Sequence, residues 1–146
     1  MSRESRLSTL WVFATLNYLY CDVVTLMDPG FLKQFLAGRI GSIDVSQGFL
    51  LASGILVEIP ISMVLLSRLL PARTNRWANI VAGTVMTAVQ LASLGVKVPT
   101  MYYAFFSVIE IAATSAVVWY AWRWNRRELP SMGTNDRSAA PSMTVR

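Results

Sequence analysis

The sequence predicts an all-α integral membrane protein: a four-helix bundle with short loops, an interfacial helix after the first span and a disordered C-terminal tail. Three observations predict it. Four apolar runs each reach the roughly 20 residues that a helix needs to cross a bilayer. Charged residues are 14% of the chain, against about 25% in an average soluble domain, while 54% are apolar and mean hydropathy is +0.47. Most of the 13 basic residues flank the apolar runs, where they act as topology determinants.

The first span, 7–27, follows a polar start carrying Arg3 and Arg6. A basic start before an apolar run also matches the first two parts of a signal peptide. Asn17 and Asp22 inside the run, and no small-x-small cleavage site after it, favour a retained span. Bulky Tyr20 before Cys21 argues against a lipoprotein. Asp28, Pro29 and Gly30 close the span with turn chemistry. In the FLKQFLAGRIG that follows, Phe31, Leu32, Phe35 and Leu36 fall at helical spacing, which predicts a short helix lying in the membrane interface. Gly38, Gly41 and Asp44 then mark a loop. The second span, 46–69, ends at Arg68, Pro71, Arg73 and Arg76. The third, 77–96, and the fourth, 100–122, are joined by so few residues that they are antiparallel neighbours. These spans form one transmembrane domain, 1–127. The remainder, 128–146, is rich in Ser, Pro, Ala and Thr and reads as a disordered cytoplasmic tail.

Basic residues also predict orientation. Ten arginines (Arg3, Arg6, Arg68, Arg73, Arg76, Arg123, Arg126, Arg127, Arg137, Arg146) fall on one side and three basic residues (Lys33, Arg39, Lys97) on the other. Both termini are therefore expected in the cytoplasm, with the chain in the cytoplasmic membrane.

Within the spans, residues at about 100° per residue align into one polar stripe per helix. The stripes are Thr15, Tyr18, Asp22 and Thr25; Gln47, Gly54, Glu58 and Ser62; Asn79, Gly83, Gln90 and Ser93; and Tyr103, Ser107, Glu110 and Thr114. Turned inward, they give a bundle with a polar interior. Glu58 and Glu110 both sit near mid-span, where an ionisable group costs about 2.5–3.5 kcal/mol on insertion scales. No Lys or Arg inside a span neutralises them, so at least one is expected to be protonated and hydrogen-bonded at rest. Asp22 and Gln90 fall in the outer half; Tyr18 shares its stripe with Asp22, and Tyr103 shares its stripe with Glu110. Asn17 is off its helix's stripe and is a further polar group in the first span. These seven residues are the candidate binding set for a proton or ligand. Pro60 lacks an N–H, frees the Leu56 carbonyl and is expected to open it toward the interior close to Glu58.

Composition excludes several chemistries. One cysteine permits neither an intramolecular disulfide nor a CxxC redox site, and the chain has no histidine. No P-loop or hydrolase triad is present, and no metal or cofactor is implied. The charge of +5 is dispersed among span ends, which argues against nucleic acid as a partner. The partners that fit are the lipid bilayer, a second copy of the chain, and a small cation or small apolar ligand.

The segments NYLYCDVVTLMDP, QGFLLASGILVEIPISMVLLSRLL, NRWANI and YYAFFSVIEIAATSAVVWYAW together resemble a family of uncharacterised small four-span prokaryotic membrane proteins, over residues 7–124. The chain is loosely similar to DoxX-like membrane proteins in size and span count. The resemblance implies architecture and no catalytic activity. Three function classes fit the residues: a protein that binds or transports a proton, cation or small molecule through intramembrane carboxylates; an intramembrane enzyme acting on a lipid or isoprenoid; and an accessory subunit of a membrane assembly. Small-xxx-small spacings such as Gly48/Ala52 and Ala112/Ala116 suit the last.

Overall fold

A computed structural model of the chain describes residues 2–96 and 100–124. The expected tail, 128–146, and the turn at 97–99 lie outside the described residues. The helices are α1 (Arg3–Met27), α2 (Pro29–Leu36), α3 (Gln47–Leu69), α4 (Ala72–Val96) and α5 (Met101–Trp122). All but α2 are long and apolar enough to cross a membrane, giving an integral membrane four-helix bundle.

Local chemistry sets the helix starts. Ser2 caps α1 by accepting from the Ser5 N–H at 3.2 Å, so the helix begins before the apolar run does. Asp28 caps α2, with Oδ1 accepting from Gly30 N at 2.8 Å and Phe31 N at 3.3 Å, and Pro29 occupies its first position. Ser46 caps α3 through the Phe49 N–H at 3.1 Å. The short helix expected after the first span is present as α2. Its Phe31 and Phe35 rings stack at 6.3 Å, and none of its residues is buried.

The loop expected at 38–44 folds instead into a small antiparallel hairpin, β1 (Arg39–Ile40) and β2 (Ile43–Asp44). Gly38 at φ 76° and Gly41 at φ 61° adopt the left-handed backbone that closes it. Arg39 Nε donates to Asp44 Oδ1 across the pair at 3.1 Å. The helix α4 starts at Ala72 rather than at Trp77, because Asn75 is already helical, fully buried and bonded.

In the bundle, α1 packs on α3 with one side and on α5 with another, and α4 packs on α5. Contact between α3 and α4 is far smaller. The apolar core joins Leu7, Trp11, Met63, Met86 and Val117 toward the end that carries Ser2 and Trp124. At this same end a closed polar network ties α1, α3 and α4. Trp11 Nε1 donates to Asn79 Oδ1 at 2.7 Å, Ser67 Oγ donates to the same oxygen at 3.2 Å, and Asn79 Nδ2 reaches Asn75 Oδ1 at 2.6 Å. Asn75 Nδ2 in turn donates to the Ser67 carbonyl at 2.6 Å. Leu51, Leu65, Phe105 and Val108 are exposed on the outer surface, as lipid contact requires.

The α4–α5 contact depends on Gly83. A Cβ built there would lie 2.7 Å from Val118 Cγ2 and 3.2 Å from the Thr114 carbonyl oxygen. Gly83→Ala is therefore expected to push the helices apart and destabilise the bundle by about 1–3 kcal/mol. Gly95→Ala, where nothing lies within 4 Å, should leave stability unchanged or raised. Thermal unfolding of both variants in detergent checks this.

Candidate functional site

The site is built on one face of α5. Ser107, Glu110 and Thr114 recur at helical spacing and all three are buried. Both hydroxyls are used. Ser107 Oγ accepts from Gln90 Nε2 of α4 at 2.8 Å and donates to the Tyr103 carbonyl at 2.7 Å. Thr114 Oγ1 lies 2.9 Å from the Glu110 carbonyl and 2.8 Å from Thr87 Oγ1 of α4. Between them the Glu110 side chain is 1% exposed, and neither Oε1 nor Oε2 has a hydrogen-bond partner among the described residues.

From α1, Tyr18 faces the same region, and its hydroxyl is also buried without a partner among the described residues. Glu110 lies within electrostatic range of Tyr18, Cys21, Asp22 and Tyr103. Toward the α2 end of the bundle the polar groups continue. Tyr103 OH and Ser93 Oγ are 2.8 Å apart, and Ser93 Oγ donates to the Gln90 carbonyl at 2.7 Å. At that end Tyr102 OH donates to Asp28 Oδ2 at 3.3 Å, joining the start of α5 to the end of α1. A line of hydroxyls and one amide thus runs from the α2 end to the depth of Glu110. Chemically this arrangement can hold a proton, or place a carboxylate and a phenol against a small cation. Among the described residues, no three His, Cys, Asp or Glu side chains converge as metal ligands.

Five of the seven sequence candidates come together here: Glu110, Tyr18, Gln90, Tyr103 and, at the exposed rim of α1, Asp22. Two do not. Asn17 donates to the Phe13 carbonyl of its own helix at 3.1 Å and takes no part in the cluster. Glu58 is exposed, on the face of α3 turned away from α1, and Ser62 Oγ donates to its Oε1 at 3.3 Å. The expected mid-span pair of glutamates therefore does not form. α3 buries Pro60, Met63 and Ser67, with Ser67 bonded to Asn75 and Asn79 of α4, and this inward face excludes its polar stripe. Pro60 is consequently on the opposite side of α3 from Glu58, and the two do not form one site. The network of Trp11, Ser67 and Asn75 around Asn79 lies outside the polar stripes of the sequence. The i, i+4 spacing of Asn75 and Asn79 at the head of α4 was its visible trace.

A profile described as a family of unknown function (DUF6326) matches residues 1–131. No curated protein and no solved structure matches the chain.

Proposed function

The chain belongs to the DUF6326 family of unknown function, and from that premise we propose that it exchanges a proton for a small cation, or a cationic small molecule, at Glu110. The observation that carries this is the pair of buried Glu110 oxygens without a partner among the described residues. A structural role would require those oxygens to join helices, where an interhelical hydrogen bond averages about 0.6 kcal/mol. They make no such bond, while a mid-span acid costs about 2.5–3.5 kcal/mol on insertion scales. An unrewarded cost of that size is typical of a group kept for its reactivity.

In this reading Glu110 carries the exchangeable proton. The Tyr18 hydroxyl contributes a hydrogen bond, and Asp22 draws cations toward the rim. Ser93, Tyr103, Ser107 and Gln90 line the approach from the α2 end. The arginine distribution supports a cytoplasmic-membrane location with both termini in the cytoplasm, so the approach opens on the opposite side.

The test uses protein in lipid nanodiscs, weakly buffered with a pH-reporting dye, and tetraphenylphosphonium as the probe cation. Wild type should release a proton on addition of the probe, Glu110→Gln should release none, and Glu58→Gln should behave as wild type. Equal release from Glu110→Gln and wild type, or none from wild type, overturns the proposal.

A further inference from the structure

The outward face of α3 carries a feature that a lone bundle in a bilayer does not accommodate. At about 100° per residue, Gln47, Leu51, Gly54, Glu58, Ser62 and Leu65 form one stripe. It lies opposite the buried face that carries Pro60, Met63 and Ser67. All six are exposed except Ser62, which is half-buried. Glu58 therefore faces hydrocarbon near mid-span with the Ser62 hydroxyl at 3.3 Å as its partner, a placement that membrane proteins otherwise reserve for protein-lined surfaces. One turn away, Gly54 is open, and a Cβ built there would meet nothing within 4 Å.

We infer that this face of α3 is the contact between two copies of the chain, related by a two-fold axis along the membrane normal. Such an axis sets each residue of the stripe against itself. A polar group pairs with its own copy only if it can both donate and accept. The Gln47 amide and the Ser62 hydroxyl can, and two Glu58 carboxyls can by sharing a proton. The stripe holds no Lys or Arg to repel its counterpart, and Arg68 of α3 lies about a quarter turn away. Gly54 lets the two backbones approach beside the carboxyl pair. The ten-to-three split of basic residues between the two sides holds both copies in one orientation, as the axis requires. This interface stands on α3 alone and does not depend on the role of Glu110.

Cysteine cross-linking in native membranes tests it, in a Cys21→Ser background. Leu51→Cys and Leu65→Cys lie on the stripe, and Val108→Cys lies on the exposed face of α5. Oxidation with copper phenanthroline should give a covalent dimer of the chain from the first two and none from Val108→Cys. Adding Glu58→Lys should abolish the cross-link, whereas Glu58→Gln, which keeps both donor and acceptor, should retain it. Monomer throughout, adducts of another mass, equal cross-linking at Val108, or a cross-link that survives Glu58→Lys overturns the inference.

Discussion

Glu110→Met should make the bundle more stable while silencing the proton release expected of wild type. The two carboxylate oxygens are buried and have no hydrogen-bond partner among the described residues, so removing them breaks no side-chain bond. A buried polar group left unsatisfied costs about 1–3 kcal/mol, and methionine fills a similar volume with a flexible apolar chain. We expect a gain of about 1–3 kcal/mol in equilibrium unfolding in mixed micelles. Tyr18→Phe should be neutral or slightly stabilising for the same reason, because its hydroxyl is also unpartnered among the described residues. A clear loss of stability in Glu110→Met would show instead that the carboxyl joins helices. The opposed signs of the two readouts separate a functional acid from a structural one.

Asn79→Leu should act in the other direction. The Asn79 side chain accepts from Trp11 at 2.7 Å and from Ser67 at 3.2 Å, and donates to Asn75 Oδ1 at 2.6 Å and to the Asn75 carbonyl at 2.8 Å. Leucine leaves the fully buried Trp11 indole N–H and the Asn75 side-chain oxygen without these partners. Polar bonds between membrane helices average only about 0.6 kcal/mol when the whole pair is deleted, but orphaning a buried group costs about 1–3 kcal/mol. α1 loses its bond to α4 and α3 keeps only the Asn75–Ser67 carbonyl bond, so the expected destabilisation is about 2–4 kcal/mol. It is measured by the same unfolding assay, and a change below about 1 kcal/mol would mean that apolar packing alone holds this end. Protein that remains folded should keep its proton release, since Glu110 is outside the network.

The spans were legible because run length and hydropathy do not depend on which way a helix faces. Glu110 was legible for a related reason. Ser107 and Thr114 flank it at helical spacing, and both hydroxyls turned out to bind α4, which fixes the face that is buried. The same reasoning failed for Glu58. Outside its polar stripe α3 carries only Ser53, Ser67 and Arg68 as polar side chains, so periodicity offers little contrast, and packing selected the Pro60 face instead. Asn17, off the stripe in the sequence, satisfies its amide on the Phe13 carbonyl one turn back, an option a short polar side chain always has in a helix. The early start of α4 was hidden by the polarity of the ARTNR segment, where Asn75 is buried because its bonds are complete rather than because it is apolar.

The contact of α1 with α5 has a consequence for how the protein is made. The groups around Glu110 come from the first span and the last two, so during synthesis Tyr18 and Asp22 wait in the bilayer while every intervening segment is inserted. No shorter chain can assemble the cluster. The final helix both delivers the buried acid and packs against α1 and α4 around it.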